Sequence, residues 1–124
     1  MPIERGAPDL ITRTKAFSLS VIRFYTRMPR GSVAQLLGRQ LLNSATSVGA
    51  QYREAQRAKS IADFLSKTEG ALQELDETRY WLELIHDAGI ENSIAVEDLQ
   101  DEAKQLLAIF VSITKKAKEK KLHK

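Results

Sequence analysis

Residues 43–55, NSATSVGAQYREA, decide how this chain is read, because Ser44 to Ala50 are seven small residues in a row, followed by a tyrosine and an Arg-Glu pair. A serine- and threonine-rich run of this kind suits either an active-site loop or a helix built to let a second backbone come close. A serine nucleophile needs a base and a strained turn, yet GxSxG does not occur in the chain and no histidine lies nearby. At 100° per residue, Leu41, Ala45, Val48 and Tyr52 share one face of a helix, and Gly49 with Ala50 flank the opposite side. The stretch therefore reads as a packing helix.

Working outward, the same periodicity recurs along the chain and no convincing strand appears. Phe17, Val21, Phe24 and Met28 repeat at helical spacing before Pro29 and Gly31 stop the first helix, predicted over 10–28. Ser32 and Gln35 form a capping-box pattern that opens a second helix over 33–57 through Leu37, Leu41, Val48 and Tyr52. Ser60 and Asp63 resemble another cap, and Leu65, Leu72, Leu75, Leu82 and Ile85 carry a third helix over 61–88, with Gly89 as its C-terminal cap. Leu99, Ala103, Leu106, Phe110 and Ile113 alternate spacings of four and three in a fourth, over 96–118. Four helices of this length with short connections imply an all-α, antiparallel up-down-up-down four-helix bundle in one domain spanning 1–124.

A chain of 124 residues is long enough to bury a core. Without cysteine it has no disulfide, thiolate metal site or cysteine nucleophile. The N-terminus lacks the order of a signal peptide, and LLAIFV at 106–111 is too short to span a bilayer, so a cytoplasmic protein with no membrane partner is expected. The formal net charge of +3 conceals a strong segregation. Residues 1–60 carry ten Lys/Arg against three Asp/Glu, residues 61–114 three against twelve, and the basic tail 115–124 six against one. These charges can pair inside one bundle or between neighbours in a head-to-tail ring. Leu19, Ile22, Leu36 and Val111 point away from the predicted core, in surplus of what one bundle needs.

Several residues invite a chemical reading. Arg79 falls on the apolar stripe of the third helix, where a guanidinium needs a partner, and Glu54 and Glu77 are the nearest candidates. Trp81 lies some 120° off that stripe with no second aromatic on its face, which suits a subunit or inter-helix contact better than a base-stacking platform. Glu83 and His86 form the i, i+3 half-motif of di-iron bundles, but the only other histidine is His123, so no metal and no cofactor are expected, and His86 reads as a packed residue at a helix end. No P-loop or dinucleotide-binding glycine pattern is present. Lys115, Lys116, Lys118, Lys120 and Lys121 are either solvated helix-end lysines or phosphate contacts, and Arg53, Arg57 and Lys59 would extend such a surface.

The segments QLLNSATSVGAQYREA and DFLSKTEGALQELDETRYWLELIHDAGI, in this order, resemble the four-helix-bundle family encoded in intervening sequences of bacterial 23S ribosomal RNA genes. The likeness runs from residue 9 to about 115 and includes Asp9, Leu10 and Pro29. It implies an up-down bundle assembling as a homopentameric ring, a kinship with the nucleic-acid-binding accessory protein of diversity-generating retroelements, and no enzymatic activity. One family motif falls on Ser47, Ala50, Gln51, Tyr52, Arg53, Glu54 and Ala55, and another on Glu77, Thr78, Arg79, Tyr80, Trp81 and Leu82. Gln51 replaces the family's usual asparagine, and Asn43 stands where a basic residue is frequent, which weakens any phosphate role there. The expectation is a non-enzymatic oligomer associated with RNA, the alternatives being a protein-interaction scaffold and, last, a metal-binding bundle.

Overall fold

The computed structural model describes residues 9–91 and 93–122, and these form four helices and no strand. α1 is Leu10–Thr26, α2 Ser32–Gln56, α3 Ile61–Asp87 and α4 Ile94–Leu122. Each boundary has a local cause. Asp9 caps α1 by accepting from the Thr12 backbone N–H at 3.3 Å and the Thr12 hydroxyl at 2.7 Å. The helix closes two residues earlier than expected, at Thr26, but Met28 beyond it is still buried.

The expected Ser32 cap is corrected. Gly31 takes the N-cap position with no side-chain bond, and Ser32 is the first helical residue. Gln35 is engaged elsewhere: its amide donates to the Pro29 carbonyl at 3.3 Å and its Oε1 accepts from the Tyr25 hydroxyl at 3.0 Å. That pair of bonds straps the turn between α1 and α2. Ser60 does cap α3, accepting from the Asp63 N–H at 3.0 Å, while Asp63 accepts from the Lys59 N–H at 3.3 Å. α3 ends in a Schellman arrangement: Gly89, at φ 72, lets its own N–H reach the His86 carbonyl and the Ile90 N–H reach the Ile85 carbonyl. Ile90 then folds back against the core.

The core runs from Phe17, Val21 and Phe24 through Leu41 and Val48 to Leu75, Leu82, Ile85, Leu106 and Phe110. Burying each such side chain contributes about 1.5–3 kcal/mol. Tyr52 meets Phe110 edge-on, with ring centroids 5.6 Å apart.

The small residues of 43–55 act at different contacts. Ser44, buried, accepts from the buried Thr78 hydroxyl at 3.0 Å, which joins α2 to α3. Gly49 does not sit on an outer face as its wheel position suggests: it is buried, and a Cβ there would stand 3.2 Å from Thr14 Oγ1 of α1. Ala50 is exposed. Gly38 likewise lies under the Tyr25 ring, and Gly70 of α3 under the Gln51 amide. Among the described residues no helix is long and apolar enough to cross a membrane.

Candidate nucleic-acid interface

α4 extends four residues beyond the predicted end at 118, so the described part of the basic tail is a helical surface and not a separate segment. Buried Thr114 and Ala117 turn one face of this stretch toward the bundle, and Lys115, Lys116, Lys118, Lys120 and Lys121 are left exposed around it. Lys118, Lys121 and Leu122 face Ala62, Leu65, Ser66 and Glu69 of α3 across a groove of about 740 Å³. Lys118 Nζ lies 3.5 Å from Glu69 Oε1, an exposed pair that holds little energy.

Arg53, on the last turn of α2, and Arg57, its C-cap, line a shallow depression of about 380 Å³ with Ile11, Glu54 and Gln56. Lys59 follows at the α2–α3 connection, so it adjoins the start of α3 against which the α4 lysines lie. Thus all eight basic positions named from the sequence are exposed and lie at one end of the molecule. His123 falls outside the described residues.

The remaining motif residues divide into those that meet and those that do not. Ser47 donates to the Asn43 carbonyl of its own helix at 2.8 Å, and Glu54 pairs with Lys67 at 3.3 Å. Tyr52 has its hydroxyl pKa raised, first by burial and next by the charge of Asp9, with a hydrogen bond to Gln56 working the other way. Arg79 is the clearest correction. It is half-buried, lines a polar cleft with Glu83, Gln100, Asp101 and Lys104, and makes no ion pair among the described residues. Its neighbour Thr78 takes the buried place, because a small neutral hydroxyl is satisfied by the Glu74 carbonyl and Ser44 Oγ, both within hydrogen-bond reach, where a guanidinium would need a counter-charge. Glu77 stands instead beside Glu74, whose carboxyl is pushed up by burial and then by the Glu77 charge and hydrogen bond.

Trp81 packs against the core, and it does have an aromatic companion: the Tyr80 ring lies 5.3 Å away and is 53% exposed. His86 is half-exposed at the end of α3 and contacts Asp87 at 2.9 Å. Among the described residues no group of three or more His, Cys, Asp or Glu side chains is placed to hold a metal ion. Sequence reasoning missed the Ser44–Thr78 pair and the Arg13–Glu102 ion pair, whose two bonds measure 2.7 and 2.8 Å. Thr78 was findable, because it follows Leu75 by three and precedes Leu82 by four. The Arg13 contact carried no signal, since 89 residues separate the partners.

These features define the class: an all-α four-helix protein with a basic surface at one end. The chain belongs to the 23S rRNA-intervening sequence protein family, whose model matches residues 9–112. It is similar to a crystal structure described as a protein of unknown function from the S23 ribosomal protein family of Bacteroides thetaiotaomicron VPI-5482. The two are 30% identical, with a TM-score of 0.80 over 86% of this chain and 98% of that one. No curated protein matches the chain.

Proposed function

We propose that this chain is a non-enzymatic, homo-oligomeric bundle protein of the cytoplasm that associates with RNA through the basic end of each protomer. The observation that carries the reading is the convergence of Arg53, Arg57 and Lys59, at the end of α2 and in the connection after it, with the α4 lysines far away in sequence. Phosphate binding requires clustered, solvated cations of this kind and no base-reading geometry.

The up-down-up-down arrangement within a single domain is supported by the order of contacts. Tyr25 lies on Gly38 while the earlier Thr14 lies on the later Gly49, and Ser44 meets Thr78 while Glu54 meets Lys67. The pentameric ring follows from the family resemblance and is supported by exposed Leu19, Ile22, Leu36 and Val111. In a ring, weak phosphate contacts repeat and reinforce one another.

The test is anisotropy of fluorescent structured RNA, titrated with salt, for the native chain and a variant with Lys115, Lys116, Lys120 and Lys121 changed to glutamine. Substitution is preferred to truncation because Ala117 is part of the packed surface. Affinity should fall steeply with salt, and each phosphate contact removed should flatten the log–log slope by about 0.7–0.9. No binding at low salt overturns the RNA reading. It would leave a protein-interaction scaffold, which the exposed Tyr80 beside Trp81 favours.

A further inference from the structure

The core-facing stripe of α3 has one member out of place. Phe64, Thr68, Ala71, Leu75, Thr78, Leu82 and Ile85 alternate spacings of four and three along one face, and every one of them after Phe64 is fully buried. Phe64 is only half-buried and stands outside the core among the described residues. Its place along the helix explains this. Lys67 meets Glu54 on the last turn of α2, and Phe64 lies about 4.5 Å nearer the start of α3, where α2 is ending. The largest apolar side chain of the stripe is thus the one left partly in water.

That ring lies among the cations of the basic end. At 100° per residue Phe64 falls within about 20° of Leu75, with Lys67 about 80° to one side of the stripe and Leu65 about 80° to the other. The Lys67 side faces the end of α2, which carries Arg53 and Arg57, and the Leu65 side faces Lys118 and Lys121 of α4. Phe64 therefore projects between the two groups of cations, with Lys59 just ahead of the helix. Arg53, Arg57, Lys59 and Lys121 make no ion pair among the described residues, whereas Glu54 and Glu69 are already engaged by Lys67 and Lys118.

We infer that Phe64 is a stacking platform for an unpaired base, so that the RNA held at the basic end is single-stranded where it meets α3. This rests on the RNA reading above and names the form of RNA. Cations flanking an aromatic ring bind unpaired nucleotides by tracking the backbone while a base lies on the ring. A phenyl ring has no hydrogen-bonding group, so the contact accepts any base and leaves the phosphate contacts to supply the rest of the affinity. A duplex keeps its base faces stacked inside and gives the ring nothing to cover.

The test is anisotropy with a short labelled single-stranded RNA and with the same strand annealed to its complement, for the native chain, Phe64→Leu and Phe64→Tyr. Phe64→Leu should weaken binding of the single strand at least about fivefold, leave the duplex unchanged and keep the salt slope on both, because it removes a stacking face and no phosphate contact. Phe64→Tyr should restore the native affinity. Equal loss on both forms, or no loss on the single strand, overturns the inference and leaves the RNA reading standing. If the native chain binds neither form at low salt, the RNA reading fails and the inference with it. Should Phe64→Leu melt early, Phe64→Trp gives an independent measurement: its added fluorescence should be quenched by the single strand, while the native signal from Trp81, about 26 Å further along α3, should not change. A Phe64→Trp protein that binds the single strand without quenching overturns the inference.

Discussion

Gly38 shows how much one absent methyl group settles. A Cβ there would lie 2.7 Å from two ring carbons of Tyr25 and 3.0 Å from Met28 Sδ, and Tyr25 is tethered by its hydrogen bond to Gln35. Overpacking of this kind costs about 1–3 kcal/mol, against a helix-propensity gain for alanine of about 0.5–1 kcal/mol. Gly38→Ala should therefore lower the melting temperature, measured by circular dichroism; an unchanged or higher midpoint would show that α1 and α2 have room to spare. Glu74 makes a second prediction through pH. Its carboxyl is raised because burial and then Glu77 disfavour the charge, so the fold binds that proton more tightly than the unfolded chain does. Stability from this site is thus present below the ordinary carboxylate range and is lost as pH rises toward the raised value. Glu74→Gln should stabilise the protein near neutral pH, by about 0.2–0.5 kcal/mol if relief of a like-charge pair on one helix face dominates. The gain should vanish in acid, as denaturant melts at the two pH values would reveal.

Among the elements, α3 is the best defined at both ends, by the Ser60 cap and by the Gly89 turn. Ser60→Ala removes the acceptor of the Asp63 N–H and should cost about 1 kcal/mol; a chemical-denaturation midpoint equal to the native one would mean that Asp63 and Lys59 hold the turn unaided. The Ser60–Asp63 cap was legible because it is local: a serine hydroxyl accepts the N–H three residues on wherever the helix packs. Ser32 and Gln35 show the same pattern and do not cap, since Gln35 finds Tyr25 and Pro29 across the turn. The apolar stripes were legible for the same local reason, as a 3.6-residue period is a property of one helix. Arg79 was misread because the stripe of a long helix has edges, and an angle of 40° from its centre does not say whether a neighbouring helix covers that edge.

At the scale of the whole molecule, charge is the organising quantity. Few of the ionic groups neutralise one another inside the protomer: Arg13–Glu102, Lys67–Glu54 and Lys118–Glu69 are the described pairs of a permanent cation with an acid. Each is partly exposed and correspondingly weak. The basic end is left available to other molecules, and RNA is the partner its clustered cations suit. The sequence by itself determined the helix count, the approximate helix ends, the apolar faces and the segregation of charge, since all of these are set by residues within a few turns of each other. Only the tertiary structure decided that Gly49 lies against Thr14, that Thr78 and not Arg79 is buried, that α1 and α4 part to form a groove, and that α2 and α4 bring their cations to the same end. Those facts depend on how helices far apart in the chain are rotated and tilted against each other, and packing fixes that only when every face has found its neighbour.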